Sequence, residues 1–394
     1  MDFKVITGSL LVAGTAIGAG MLALPITTAA GGFWPAFFIY LVCWFFMTAT
    51  GLLLLEICLW MPQDANLVSM AHHLLGPVGK GVAWVLYLFL FYSLTIAYVA
   101  GGGGFFVVLF GDALPVWGGI VLFTLVFGLV IYLGTKAVDR INFLLMIGLI
   151  ASYIIFVCLG YKHVNVSRLK HSDWGASFFA LPIIFTSFSY QGIIPSLTTY
   201  FQRDAKKVRY AIIIGTAIPF IAYVIWEFLI LGIVPIYGAH GLLDAASKQQ
   251  TAIYPLKYIL KSTVIYSIGQ AFAFFALTTS FLGVTLGLFD FLSDGLKIPK
   301  EGVKKIFLWL IVYIPPLIIA LVNPSIFLTA LNYAGGFGCA LLLGLLPVIM
   351  VWVGRYKREF SPLYIQVPGG RPLLSCLALF VFFEVIIELM HEIH

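Results

Sequence analysis

The 394-residue sequence predicts an all-α polytopic membrane protein of about eleven transmembrane helices, ten of them in two inverted halves of five and one added after them. Three observations predict it. The chain is 62% hydrophobic and 10% charged, with a mean hydropathy of +1.06. A water-soluble chain of this length could not cover its surface with so few charges. The apolar residues fall into runs long enough to cross a hydrocarbon core of roughly 30 Å. Two of those runs, five apart, are interrupted in the middle by glycine, proline or polar residues.

Span 1 covers 5–30 and carries Gly14, Gly18, Gly20 and Pro25. Glycine costs about 1 kcal/mol in a helix interior, so a segment that only had to cross would not hold three. We read a broken helix whose freed backbone groups need a polar partner. Close packing of two helices through Gly14 and Gly18 is the blander reading. A dinucleotide fingerprint at 18–23 is discarded because no strand precedes it. Spans 2 to 5 follow at 33–60, 79–110, 115–134 and 140–160, with turns at Gly31–Gly32 and Gly111–Asp112. Span 6, 175–200, repeats the oddity of span 1: Ser187, Ser189, Tyr190, Gln191 and Gly192 sit between Pro182 and Pro195. Polar residues at that depth are costly and usually functional. Interhelical hydrogen bonding, about 1 kcal/mol per contact, explains one serine but not the cluster.

Spans 7 to 11 are 208–235, 263–293, 304–322, 325–353 and 373–391, with a turn at Asn323–Pro324. The longest imply tilt or breaks. The polar connections 61–78 and 236–262 are each long enough for a short interfacial helix. The chain therefore forms a single transmembrane domain with halves at about 5–160 and 175–353 and an additional helix at about 373–391. An odd separation of five makes span 6 enter from the side opposite to span 1. Broken helices at matching places in two inverted halves are the best sequence pointer to the central site of a transporter. The apolar run after Lys4 is too long for a signal peptide and another span follows at once, so no cleavage is expected.

Orientation follows from the basic residues. Lys162, Arg168, Lys170, Lys248, Lys257 and Lys261 fall at one end of the spans, and the other 16 of the 22 fall at the opposite end. By the positive-inside rule this puts the N-terminus in the cytoplasm and the C-terminus outside. The +6 net charge follows the membrane and is no signature of nucleic-acid binding. Cys43, Cys58, Cys158, Cys339 and Cys376 all lie in apolar runs without a CxxC, and read as small core residues rather than disulfides or metal ligands.

The broken helices define a candidate site. The second half of span 1 begins near Gly18, Ala19 and Gly20, where free N–H groups and the positive dipole end suit a carboxylate. The first halves of spans 1 and 6 end there and offer carbonyls to an ammonium. An α-amino acid satisfies both, so the candidate substrate-binding residues are Thr15, Ile17, Gly18, Ala19 and Gly20, then Ser187, Phe188, Ser189, Tyr190, Gln191 and Gly192, with Tyr92, Tyr98, Ser280 and Phe281 as walls. Ordinary packing is the competing reading for the aromatics. For coupling, all seven histidines lie in loops or at span ends, which leaves carboxylates: Glu56 and Asp290 near span ends, where snorkelling competes, and Glu227 deeper in span 7, where it must be protonated or paired. Glu384 and Glu388, four apart on span 11, mark a helix contact or an outer-surface anchor. Thr278, Thr279 and Ser280 offer hydroxyl oxygens to a sodium ion; no other metal and no cofactor is expected.

Residues 14–25, residues 188–197 with Ile194, Pro195, Ser196 and Leu197, and residues 280–290 resemble the aromatic amino-acid permeases, the bacterial tyrosine and tryptophan permeases of the amino acid–polyamine–organocation superfamily. The resemblance spans the chain and implies a LeuT-like five-plus-five fold in the bacterial cytoplasmic membrane, with proton-driven import of an aromatic amino acid. At the position of Gln191 these permeases often hold a histidine; a glutamine cannot take a proton. The sequence carries no metal cluster, phosphate loop or nucleophile–base set at membrane depth, which argues against an enzyme. A sodium-coupled carrier of another amino acid and a channel lined by glycine-rich backbone compete with the proton-driven reading.

Overall fold

A computed structural model describes residues 3–62, 65–110, 113–260, 262–360 and 364–393, apart from the side chains of 391–393. Among them every regular element is a helix. Ten helices are long and apolar enough to cross a membrane, and the pair Phe3–Ala16 and Gly20–Thr28, bent by 58°, makes an eleventh. The expected turn at Gly111–Asp112, the expected outer-loop Lys261 and the side chains of His391 and His394 lie outside the described residues.

The helices depart from the expected ranges where local chemistry overrides hydropathy. Span 3 begins at Leu67 rather than 79 and runs to Leu109. Asn66 and Ser69 form a reciprocal capping box that starts it, each backbone N–H meeting the other side chain at 2.9 Å. Gly76, at φ 76° and ψ −164°, then breaks the run just before Pro77. A residue before proline avoids the helical region, and only glycine takes this φ without strain. The connection 236–262 holds two short helices, Leu242–Ser247 and Leu256–Ile259. Span 10 is Phe327–Tyr333, then a π-helical stretch at Ala334–Leu345, then Leu346–Tyr356. Cys43, Cys58 and Cys339 are buried as expected, whereas Cys158 and Cys376 are exposed on apolar helix faces.

The end of the bundle that carries most of the basic residues is tied together by two arginines. Arg203 donates to the Leu59 and Met61 carbonyls at 2.7 and 2.9 Å, serving groups left open where span 2, Phe33–Trp60, ends. Arg355 of span 10 grips Glu56 of span 2 in a two-pronged pair, both contacts 2.7 Å, and Glu56 also accepts the Gln366 N–H at 3.0 Å. Glu56 is fully buried, so it does not snorkel. Removing one partner of a buried pair leaves a charge uncompensated, at about 3–5 kcal/mol, whereas replacing both with apolar or neutral groups costs far less. Arg355→Met is therefore expected to lower the melting temperature of the purified protein more than the Glu56→Gln, Arg355→Met double substitution does. A double variant less stable than the single one would show that the pair is not what holds spans 2 and 10.

Candidate functional site

The first half of span 1, Phe3–Ala16, stops where Gly18 and Gly20 interrupt it, and the second half, Gly20–Thr28, restarts after a tight turn in which the Met21 N–H meets the Gly18 carbonyl at 3.1 Å. In span 6 the helix Leu181–Ser187 ends, Gln191–Ile193 forms a 3₁₀ turn, and Ile194–Tyr200 completes the crossing. The two breaks meet. Tyr223 of span 7, fully buried, donates its hydroxyl to the Ala16 carbonyl at 2.7 Å and the Ser187 carbonyl at 2.8 Å. These are the last carbonyls of the two first half-helices. Gly20 packs on span 6 so closely that a Cβ there would lie 2.6 Å from Ser187 Oγ and 3.1 Å from Ser187 Cα.

Span 8, Thr263–Leu296, forms the third side. Ser280 Oγ accepts the Ala19 N–H at 3.0 Å, and a Cβ on Gly18 would collide with that same oxygen. Tyr98 of span 3, buried, lies near Ser280. Phe188 stacks edge-on against Tyr223, 5.1 Å between centroids, and lies 6.4 Å from Tyr40. Beside it, Ala16, Met47, Thr48, Phe188, Tyr190 and Thr216 line a space too small to hold a water molecule, so the site is closed on itself here. At the end opposite the Glu56 pair, the Ala252 N–H meets the Leu22 carbonyl at 3.2 Å, and Gln249 Oε1 accepts the Leu328 and Thr329 N–H groups at 3.0 and 3.2 Å. The connection 236–262 is thereby fastened to span 1 and to the start of span 10.

Of the expected residues, Ile17, Gly18, Ala19, Gly20, Tyr98, Ser187, Phe188, Ser189 and Ser280 belong to this neighbourhood. The Ser187 and Ser189 hydroxyls are spent on the Ile183 and Thr186 carbonyls, at 2.8 and 2.7 Å. Others point elsewhere. Thr15 is exposed and returns its hydroxyl to the Leu11 carbonyl at 2.8 Å. Tyr92 donates to the Ile311 carbonyl at 2.8 Å, which Pro315, lacking an N–H, leaves without its helical partner. Phe281 packs on Phe123 and Tyr313, away from the breaks. Tyr190 and Gln191 turn to span 2. The Tyr190 hydroxyl donates to the Met47 carbonyl at 3.1 Å, and the Gln191 amide to the same carbonyl at 3.3 Å and to Thr50 at 3.2 Å. Gln191 Oε1 also accepts the Tyr190 N–H at 2.9 Å, which holds the unwound turn in shape. Gly192 is exposed with open space around it. Thr279 bonds the Phe275 carbonyl at 2.8 Å, while the buried Thr278 hydroxyl has no partner among the described residues.

The three coupling candidates have different surroundings. Glu56 is locked to Arg355. Asp290 is half-exposed and paired with Lys300 at 2.7 Å, in keeping with its surface reading. Glu227 is buried and bonded by two hydroxyls, Tyr40 at 2.7 Å and Thr28, with no Lys or Arg paired to it among the described residues. Thr28 lies also 2.7 Å from the Leu24 carbonyl. Its single proton can point to Glu227, serving an anion, or to Leu24, leaving the Thr28 oxygen to accept a proton carried by Glu227. One hydroxyl rotation thus fits both protonation states.

Tyr223 is the residue that the sequence reading missed. The signal was present: a phenol in the middle of an apolar span needs a polar partner, and Tyr223 lies one turn before Glu227 on the same helix. Without its hydroxyl, two buried carbonyls lose a donor, at about 1–3 kcal/mol. Tyr223→Phe is expected to reduce transport on the order of tenfold at unchanged expression, and wild-type rates would separate Tyr223 from the function of the breaks.

The sequence model of the tryptophan/tyrosine permease family matches residues 1–391. The chain is 35% identical over 374 residues to the tyrosine-specific transport system 1 of Haemophilus influenzae, covering 93% of this chain and 92% of that one. It is 31% identical over 397 residues to the tryptophan-specific transport protein of Pseudomonas aeruginosa, covering 98% and 94%. Among solved structures, the Eremococcus coleocola manganese transporter, crystallised with an aromatic bis-isothiourea substituted compound, superposes with a TM-score of 0.60 at 14% identity over 98% of this chain and 85% of that one. That likeness concerns the fold alone, the LeuT-like arrangement of helices.

Proposed function

As a member of the tryptophan/tyrosine permease family this chain is a multipass membrane transporter and not an enzyme, and we propose that it imports tyrosine or tryptophan across the bacterial cytoplasmic membrane together with protons, its N-terminus in the cytoplasm. The observation that carries the site is the single Tyr223 hydroxyl shared by the Ala16 and Ser187 carbonyls. Two carbonyls converging on one donor are what a substrate ammonium would take over, as Tyr223 moves aside. Just beyond Ala16 in the chain, the N–H groups at Gly18, Ala19 and Gly20 would hold the carboxylate, with the Ser280 hydroxyl yielding its bond to Ala19. A partly buried anion at a helix start gains up to about 2 kcal/mol.

The side chain would extend toward Phe188 and Tyr98. A ring that buries roughly 150–250 Å² is worth roughly 4–6 kcal/mol, enough to set it apart from an alanine-sized substrate. Gln191 acts as a positioning residue for the span 6 break. The halves at about 5–160 and 175–353 rock against each other around this site. Glu227 carries the proton: its hydroxyl partners suit both charge states, and Thr28 belongs to the second half of span 1, so a change at Glu227 is felt by the helix that holds the substrate.

Purified protein in liposomes tests the reading. Labelled tyrosine or tryptophan is expected to accumulate when the lumen is made alkaline in the absence of sodium. Accumulation only under a sodium gradient would replace Glu227 by the hydroxyls of Thr278, Thr279 and Ser280 as the coupling site. Accumulation of a non-aromatic amino acid in preference to both would overturn the substrate assignment.

A further inference from the structure

Glu384 and Glu388 stand one turn apart on span 11, Gly370–Ile393, the helix outside the ten that build the site. Both are fully buried, which leaves the helix contact and removes the outer-surface anchor of the two readings expected of them. Neither oxygen of Glu384 has a hydrogen-bond partner among the described residues. An isolated ionised carboxylate is very costly in such a place. Cys43 of span 2 and Cys339 of span 10 lie near Glu384. Glu388 lies against Gly336, where a Cβ would come within 2.7 Å of its Cγ and 2.9 Å of its Cδ. Gly336 and Cys339 both belong to the π-helical stretch of span 10, a rare geometry that concentrates at functional sites. On its other side this part of span 10 meets span 6: Gly335 touches the Pro182 carbonyl, and the Thr186 hydroxyl donates to the Leu331 carbonyl at 2.9 Å.

We propose that Glu384 and Glu388 form a second proton-binding site behind the π-helical stretch of span 10, a pair of buried carboxyl groups one turn apart of which at least one carries a proton. Two buried carboxyls one turn apart on a helix and out of water do not both ionise, and they titrate as a pair. The other titratable groups on the elements packed around them are Tyr40, Cys43 and Cys58 of span 2 and Tyr333, Cys339 and Tyr356 of span 10; the span 6 segments 178–180 and 181–187 contribute none, Arg355 is committed to Glu56, Tyr40 to Glu227, Tyr356 lies under Arg371, and the His391 side chain lies outside the described residues. With the proton present, the pair packs against the glycine face of span 10. Without it, a second negative charge faces the same backbone, and the strain reaches span 6 through Gly335 and Leu331. The site is independent of Glu227, which lies on span 7.

Infrared spectroscopy of the full chain in lipid nanodiscs tests this, in the Glu227→Gln background so that span 7 does not contribute. At neutral pH a protonated-carboxyl stretch is expected, converting to carboxylate at alkaline pH and lost when Glu384→Gln is added. Absence of that stretch at neutral pH in the Glu227→Gln protein, or its persistence at full intensity in both Glu384→Gln and Glu388→Gln, would overturn the proposal. So would its disappearance on adding sodium at fixed pH, which would assign the pair to a cation. The measurement without the span 11 substitutions already decides whether a proton is present, so the proposal stays testable if those variants fail to fold.

Discussion

Gly18→Leu is expected to abolish uptake, at least a hundredfold down, while the protein still reaches the membrane and elutes as a single species. Even the first atom of a side chain at Gly18 collides with Ser280 Oγ, which accepts the Ala19 N–H in the closed site. A leucine must displace span 8 or rotate the start of the second half of span 1. Overpacking of this kind costs about 1–3 kcal/mol of stability, which a large bundle tolerates. The loss of the anion cradle is not tolerated, because the bulk sits where the substrate carboxylate would be. Gly283→Ala provides the control: on the same helix as Ser280, a Cβ there meets nothing within 4 Å, and near-normal uptake is expected. Normal uptake by Gly18→Leu would reduce the glycines of span 1 to a packing device. Uptake is measured against surface expression in cells, then in liposomes.

Glu227→Gln is expected to abolish concentrative uptake driven by a pH gradient and to leave substrate exchange at a rate within a few-fold of the wild type. A gradient of about one pH unit supplies about 1.4 kcal/mol per proton, enough for about tenfold accumulation at one proton per substrate. The glutamine keeps the shape of the side chain, its Oε1 accepting from one of the Tyr40 and Thr28 hydroxyls and its amide N–H donating to the oxygen of the other, but it cannot bind or release the proton. The internal-to-external ratio should therefore fall to about one while exchange continues. Accumulation undiminished in Glu227→Gln would remove this carboxyl from coupling and shift attention to the buried pair on span 11. Loss of exchange as well would show that Glu227 holds the fold of span 7 rather than a proton.

The membrane class, the eleven crossings and the two breaks were legible because they rest on strong local rules. Hydropathy marks the spans, and glycine, proline and clustered hydroxyls have few reasons to occur together in lipid. That the breaks meet followed from their odd separation, and the Tyr223 bridge bears it out. Side-chain direction was not legible. Tyr92, Phe281 and Thr15 stand on the expected spans, but rotation of each helix about its axis aims them at span 9, at Phe123 or outward, and composition says nothing of that rotation. Glu56 was read without its partner because Arg355 is 299 positions away. Glu384 and Glu388 read as a helix contact or an outer-surface anchor because span 11 lies outside the repeat; tertiary packing decides for the helix contact, turning that face inward against Gly336. Tyr92 shows a reverse lesson: once Pro315 is known to orphan the Ile311 carbonyl, a donor from a neighbouring span is required, and a tyrosine supplies it.

The central claim is that the joined breaks of spans 1 and 6 hold the substrate's amino and carboxylate groups. It is tested most directly by an experimental structure of the full chain with tyrosine or tryptophan bound. The expected result places the carboxylate at the N–H groups of Gly18, Ala19 and Gly20, places the ammonium between the Ala16 and Ser187 carbonyls, and shows the Tyr223 hydroxyl displaced from at least one of them. A substrate bound elsewhere, with Tyr223 still bridging both carbonyls, would contradict it.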